Sequence, residues 1–454
     1  MNFMNIKVDS RKVEEGDTFV ALKGVNDDGH KYVMDAIANG AKKVVVHDGL
    51  YSVETLVVKD THEYLINYLK ENYYDEIKDM KLIGITGTNG KTTSCYLLWQ
   101  ALNKLGIKAA YIGTIGFYIN DCVKMLDNTT PDILDLYEMF LESKKQGCQY
   151  VVMEVSSHSL SFKRVGGLKF DYAIFTNLTQ DHLDYHDNMK NYALAKQELF
   201  KNVKDDGYAI VNIDDDYHKY YLLENHNITY GQNPSDYQIV AFKDDMEGSN
   251  FKIKHEEVIA EYQTHLIGKY NIYNLINTII VLKNEKFKSS DIYNIVSELS
   301  EPPGRVEKIK LPLGLVIIDY AHTPDAVAKV IKAIKELAKG KVYTVVGCGG
   351  NRDKKKRPLM GKIATDLSDY VIFTSDNPRK EDPLAIINDI VQNLDNKNYE
   401  IEENREKALF KGIQKLSKND ILLVLGKGHE DYQVIGDEKI HFSDKEMILK
   451  NIRR

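Results

Sequence analysis

Cysteine is scarce: Cys95, Cys122, Cys148 and Cys348 are the four in 454 residues, and none stands in CxxC spacing. That excludes a disulfide framework and a thiolate zinc site, and leaves reduced thiols in a cytoplasmic protein. Long apolar runs are missing too. No stretch approaches the roughly 18 apolar residues of a spanning helix, so membrane insertion is not expected. The opening MNFMNIKVDSRKVEEGD has no apolar core and no small-residue cleavage site, so no signal peptide is expected. Positive charge is not in excess: the net charge of -7 argues against a general nucleic-acid binder, whose footprint would be basic. Nothing repeats at a fixed period, and no segment is low in complexity. What remains, 43% hydrophobic and 28% charged residues, is the balance of a soluble globular protein, and the length suggests about three domains.

The expected class is α/β in three domains. Residues 1–80 form a small mixed α/β domain with short strands such as DTFVAL and KKVVVHD. Residues 81–302 open on KLIGITGTNGKTT and alternate strand-like runs (YVVMEV, YAIFTN, YAIVNI) with helical stretches, as in a parallel sheet wrapped by helices. EPPGRVE marks the next boundary. Residues 303–454 alternate LVIIDYA, KVYTVVG, YVIFTSD and ILLVLGKG with helices, a Rossmann-like doubly wound pattern. Ligands of such sheets bind beyond the carboxyl ends of the strands, so the loops after each strand are the places to look.

One such loop is GTNG, between the strand LIGIT and the helical KTTSCYLLWQAL. Backbone N–H groups at a helix N-terminus cradle phosphates. Gly87, Thr88, Asn89, Gly90, Lys91, Thr92 and Thr93 therefore form a candidate ATP phosphate site, with Lys91 reaching the β- and γ-phosphates and the Thr92 hydroxyl facing Mg²⁺. The fit to GxxxxGK[ST] is imperfect, because Ile85 stands where its first glycine would be. ATP is favoured over GTP, since no NKxD-type guanine reader occurs downstream. Glu154 closes the strand YVVMEV on the same edge, and a hard cation such as Mg²⁺ prefers oxygen ligands. His182 and His186 stand four apart and could imitate a zinc pair, but no HExxH or third ligand supports it. In NMKNYALAKQELF, Lys196 reads from sequence as a solvated surface lysine.

The variant loop TGTNGKTT resembles that of the Mur ligase superfamily. The resemblance continues through MEVSSHSL, FTNLTQDHLDYH, YALAK, GKYNIYN, PGRVE, DYAHTPDA, GCGGNRDKKKRP, DNPR and GKGHEDYQ, over nearly the whole chain. It implies an ATP-dependent amide ligase of peptidoglycan precursor synthesis, expected to be a monomer, working through an acyl phosphate. Its implied substrates are UDP-N-acetylmuramoyl-L-alanyl-D-glutamate and meso-2,6-diaminopimelate. By the same resemblance Lys91, Glu154, His182 and Lys196 are catalytic, and Lys196 is carbamoylated. Thr92, Glu154, His182 and the Lys196 carbamate are the implied Mg²⁺ ligands. Asn271 looks like an adenine contact, Arg305 a phosphate contact and Asp319 a ribose contact; a helix cap, a hinge salt bridge and a strand-end acid are their plainer readings. Val8 and Ser10 fall at uridine-side positions, and Asn128, Thr129, Thr130, Ser156 and Arg164 at positions for the peptide carboxylate and diphosphate. Phe162 departs from the pattern, since some relatives carry glutamine there.

The loop TSDNPRKEDP succeeds the strand YVIFTS, and Arg352 and the Gly426–Glu430 loop arrive at the same edge. Diaminopimelate differs from lysine by a second carboxylate beside its distal amine, and a planar guanidinium can take a carboxylate through two parallel bonds. Arg352, Asp376, Asn377, Pro378, Arg379, Gly426 and Glu430 are therefore the expected diaminopimelate contacts, with Glu430 accepting an amine. In the family DNPR marks diaminopimelate-adding enzymes, and lysine-adding relatives depart at the arginine. Otherwise Arg379 would be a surface residue paired with Glu381 or Asp382. The rivals are a lysine-adding ligase, a folylpolyglutamate synthase and a non-catalytic nucleotide switch. The second should lack DNPR, GKGHEDYQ and a uridine-binding first segment.

Overall fold

The computed structural model describes residues 5–24 and 27–452, which fall into two compact units. The first comprises residues 1–240, 252–260 and 273–296, and the second residues 241–251, 261–272 and 297–454.

Within the first unit, Ile6–Lys7, Thr18–Val20, Lys43–Val46 and Glu54–Val57 make a four-stranded, wholly parallel sheet in that order. Alternation sorts its side chains. Phe19, Val44 and Val46 pack with Val33 and Ala36 of the helix Val33–Ala38, while Ile6, Val20 and Val45 join Leu65 and Leu69 of the helix Thr61–Ile77. Asp60 caps that second helix by accepting the His62 and Glu63 N–H groups. The core containing Leu65 and Leu69 continues through Phe140 and Met153 to Tyr221, so residues 1–80 share a hydrophobic interior with later parts of the same unit.

At the centre of that unit the strand Lys81–Thr86 lies between Tyr150–Glu154 and Phe170–Phe175, parallel to both. Ala109–Gly113 and Val203–Asn212 extend the sheet on either side, also parallel. Helices cover both faces, so these strands read as unbroken apolar runs rather than alternating ones. Common direction puts the ends Thr86, Gly113, Glu154 and Phe175 on one edge.

The second unit is built on a six-stranded sheet in which Glu307–Lys310 runs antiparallel to Gly314–Asp319. Next to these, all parallel, come Asp420–Leu425, Val342–Val346, Tyr370–Phe373 and Tyr399–Ile401. It is doubly wound. Ile317, Leu423 and Leu425 face the helices Pro324–Leu337, Lys356–Leu367 and Pro383–Val391, whereas Val316, Ile318, Leu422 and Val424 face Arg405–Gln414 and Asp444–Ile452. Pro324 and Pro383 sit in the first turns behind the capping residues Thr323 and Asp382.

Candidate functional site

Residues 87–90 leave the strand Lys81–Thr86 and enter the helix Lys91–Lys104 directly. Gly90 makes the corner with φ 88°, and a Cβ there would strike the Asn274 side chain; Gly87 would likewise strike Thr176. Glycine is required at both points. The loop is braced from the neighbouring strand end. Asn177 accepts the Asn89 N–H at 3.0 Å and donates its amide to the Asn89 carbonyl at 3.0 Å, and its own carbonyl accepts from Thr88 at 2.8 Å. Thr176 Oγ1 donates to the same Asn89 carbonyl at 2.7 Å. Lys91 Nζ folds back onto the Gly87 and Thr88 carbonyls, both at 2.8 Å.

Glu154 is wholly buried beside this loop. Its carboxylate accepts from Thr92 Oγ1 at 2.9 Å, the Tyr111 hydroxyl at 2.6 Å, the Thr114 N–H at 2.8 Å and Thr114 Oγ1 at 3.2 Å. Burial pushes the Tyr111 phenol well above its ordinary range, and the Glu154 charge adds to this, so the hydroxyl keeps the proton that it donates to Glu154.

The structure corrects the expectation of a surface Lys196. Its side chain is 1% exposed, donates to the Gly87 carbonyl at 2.9 Å and lies over the Tyr192 ring at 4.6 Å. Burial first, and Lys91 second, hold its amine well below the usual lysine range. The buried stripe of Met189–Lys201 is Tyr192, Ala193, Lys196, Leu199 and Phe200, so the lysine occupies a core position of an amphipathic helix. His182 is exposed, in left-handed conformation, with its ring edge-on to His158 at 4.8 Å and near Asp181 Oδ2 at 3.4 Å. His186 instead turns inward and meets Ser157 Oγ at 2.9 Å. Among the described residues no group of three or more His, Cys, Asp and Glu could hold a metal. The oxygen donors beside the loop are Thr92 and Glu154, and Lys196 could join them only in a form that presents oxygen. That set fits a hard cation.

Of the remaining residues in this unit, Thr130, Ser156 and Arg164 come together. Thr130 Oγ1 donates to the Glu154 carbonyl at 2.9 Å and accepts the Ser156 N–H at 3.1 Å. Arg164 donates to the Thr130 carbonyl at 3.2 Å, and its guanidinium lies 5.9 Å from the Phe162 ring centre. Thr129 meets Thr114 at 3.1 Å, and Asn128 is exposed. Val8 lines a cleft of about 420 Å³ with Lys7, Lys12, Lys124 and Glu138, where burial raises the Glu138 carboxyl. Ser10 is buried outside that cleft, with its carbonyl held by Asn39 at 2.9 Å.

In the second unit the carboxyl-edge loops interlock. Arg379, with φ 52°, donates from Nη1 to the Gly350 carbonyl at 3.0 Å and the Asn377 carbonyl at 3.4 Å. The pairing with Glu381 or Asp382 does not form. Glu381 belongs to Arg357, at 2.9 and 3.0 Å, and that guanidinium chiefly holds its carboxyl down to about 2. Asp382 caps a helix. Among the described residues no carboxylate is within ion-pair distance of Arg379. Gly349 lies against both the Arg379 guanidinium and the aliphatic stem of the exposed Arg352. The main chain of Arg379 is clamped by the hairpin Tyr432–Ile435 and Glu438–His441, its N–H donating to the Val434 carbonyl at 2.9 Å. Asp376 and Pro378 are buried, and a Cβ on Gly426 would press on Asp376 Oδ2. Asn377 donates to Glu430 Oε2 at 2.8 Å.

Both carboxylate oxygens of Asp319 are engaged, by the Val306 N–H at 2.9 Å and the Ala321 N–H at 2.8 Å. Burial raises its pKa, and Arg305 opposes this. Arg305 lies over the Tyr320 ring at 4.7 Å, and Asn271 donates to the Ile267 carbonyl at 2.9 Å in the first turn of its helix.

Sequence reasoning missed Asn177, Tyr111, Arg357 and Arg405. Arg405, wholly buried with Asp444, donates to the carbonyls of Leu425 at 3.0 Å and Ser375 at 3.5 Å, beneath two of these loops. The signal was a charged residue at a core position of a helix, as with Lys196.

Three family models match the chain: Mur ligase family, catalytic domain over residues 2–78, Mur ligase middle domain over 85–282 and Mur ligase, glutamate ligase domain over 304–428. The chain is 40% identical to the UDP-N-acetylmuramoyl-L-alanyl-D-glutamate–2,6-diaminopimelate ligase of Clostridium tetani, covering 99% of this chain and 94% of that protein. It is 41% identical to the ligase of the same name from Fusobacterium nucleatum, over 99% and 94% of the two chains. A solved structure of a ligase of that name aligns with TM-score 0.70 and 33% identity, over 99% and 94% of the chains. A Thermotoga maritima MurF ligase in complex with ADP aligns with TM-score 0.68 over 99% and 97%, but at 18% identity that likeness concerns the fold alone.

Proposed function

The chain belongs to the Mur ligase family, and from that premise we infer an ATP-dependent amide ligase that joins meso-2,6-diaminopimelate to UDP-N-acetylmuramoyl-L-alanyl-D-glutamate. The substrate's free glutamyl carboxylate attacks the γ-phosphorus of ATP, forming an acyl phosphate and releasing ADP. An amine of diaminopimelate then attacks the acyl carbon, inorganic phosphate leaves, and the amine gives up a proton. Each step joins anions or neutral partners that water would keep apart, so positioning and charge stabilisation carry the rate.

Lys91 is the residue for the β- and γ-phosphates, exchanging its present carbonyl partners for phosphate oxygens. Thr92 and Glu154, with His182 and a carbamoylated Lys196, would hold Mg²⁺, whose charge offsets that on the transferring phosphoryl group. The depressed basicity of Lys196 supports the carbamate, because only a neutral amine adds carbon dioxide. Asn271, Arg305 and Asp319 are assigned to the nucleotide; Val8, Ser10, Asn128, Thr129, Thr130, Ser156 and Arg164 to the UDP-linked dipeptide. Among the described residues no helix is long and apolar enough to cross a membrane.

The observation that most supports diaminopimelate over lysine is the Arg379 guanidinium, half-buried and, among the described residues, bonded only to backbone carbonyls. A second substrate carboxylate would satisfy it, and lysine would leave it unmatched. Steady-state ligation with each amino acid tests this. The expected kcat/KM preference for diaminopimelate is on the order of 10²-fold or more, and equal values would overturn the assignment.

A further inference from the structure

The second unit holds a buried cation that none of the roles above uses. Lys427 has no exposed surface, yet its Nζ lies 3.2 Å from Asn377 Oδ1 and 3.3 Å from Glu430 Oε2, with the Tyr432 ring 5.6 Å away. Its neighbours Gly426 and Gly428 have φ of 111° and 52°, and a Cβ on either would meet Asp376 or Tyr320. The loop therefore passes close beneath its surroundings and turns the lysine inward.

Asn377 reads this arrangement unambiguously. Its Oδ1 accepts from Lys427 and from the Val434 N–H at 3.0 Å, so its Nδ2 must face Glu430, which it does at 2.8 Å. Glu430 Oε2 is thus pinned by an amide and an ammonium. Among the described residues Oε1 has only the Tyr320 hydroxyl, at 3.5 Å. A carboxylate with one oxygen fixed and the other open is prepared to accept from a ligand.

A buried ion pair is weak evidence for stability, because apolar residues of the same volume commonly do as well. Its place here, joining the DNPR loop, the GKGHE loop and the hairpin at one strand-end edge, points to positioning instead. We propose that Lys427 is a specificity-positioning residue: it holds the Glu430 carboxylate in one orientation, through contact with Glu430 and with Asn377, so that Glu430 Oε1 takes an ammonium group of the incoming diamino acid.

The proposal rests on the reading of Glu430 as an amine acceptor, and a double-mutant cycle separates the two. Ligation kinetics are compared for Lys427→Met, Glu430→Gln and the double variant, varying diaminopimelate and ATP in turn. Lys427→Met is expected to raise the diaminopimelate KM by about tenfold to a hundredfold while the ATP KM stays within about twofold. With Glu430→Gln already present, removing Lys427 should add less than about threefold, because it acts through that carboxylate. Independent, multiplying effects would overturn the proposal, as would a Lys427 variant that only lowers Tm. If Glu430→Gln leaves the diaminopimelate KM unchanged, the amine-acceptor reading itself falls. Should Lys427→Met not fold, Lys427→Gln, which can still donate to Asn377 but carries no charge, takes its place, and failure of both to fold makes the lysine a structural residue and overturns the proposal.

Discussion

Two lysines meet at one carbonyl, that of Gly87, and they differ in what they risk. Lys91 is partly exposed, so Lys91→Ala should leave the fold intact while ligation falls on the order of 10²-fold or more with the lost phosphate charge stabilisation. Activity within tenfold of the parent would refute its role. Lys196 is buried, and an ammonium there is held against its solvation. Lys196→Met should therefore abolish ligation and yet, without Mg²⁺ or nucleotide, raise the denaturant midpoint. A lower midpoint with activity retained would contradict both halves. Lys91 was legible because a glycine loop before Lys-Thr-Thr has a local signature. The burial of Lys196 was legible only from its place three residues before Leu199 and four after Tyr192. A long charged side chain on such a stripe more often snorkels outward, so spacing alone favoured the surface.

At the level of loops and strands, the phosphate loop owes its shape to a neighbour. Asn177 satisfies both the N–H and the carbonyl of Asn89, as a strand partner would. Asn177→Ala removes two hydrogen bonds of about 1 kcal/mol each, so the ATP KM should rise by about tenfold or more while the diaminopimelate KM holds. A change confined to thermal stability would reduce Asn177 to a fold residue. The parallel strands of both units were readable because burial on two faces leaves unbroken Val, Ile and Leu runs. The hairpin Tyr432–Ile435 and Glu438–His441 was not, since its residues are half-buried or exposed and show little alternation. Which carbonyl Arg379 would meet was equally hidden, for that depends on Gly350, distant in the chain.

Across the first unit, the edge opposite the phosphate loop is gathered by Glu285. It accepts from Lys81 at 2.6 and 2.7 Å, from Tyr150 at 2.7 Å and from Tyr172 at 2.6 Å, joining three strands to the turn that follows the helix Lys269–Asn284. Burial pushes its carboxyl up, but the lysine and the two phenols outweigh this and leave it below the ordinary 4.5. A depressed carboxyl contributes stability above its unfolded pKa and loses it as pH falls through the folded value. Urea midpoints should thus fall more steeply below about pH 4.5 in the parent than in Glu285→Gln, with ligation kinetics near neutrality unaltered. Parallel acid profiles would refute it. The shared acceptor at Gly87 has a further consequence, in physiology rather than mechanics. If Lys196 works as a carbamate, it is made by dissolved carbon dioxide and unmade by its loss. The proportion of competent molecules then answers to the gas in the medium, and cell-wall output becomes tied to the cell's own respiration and fermentation through a single buried amine.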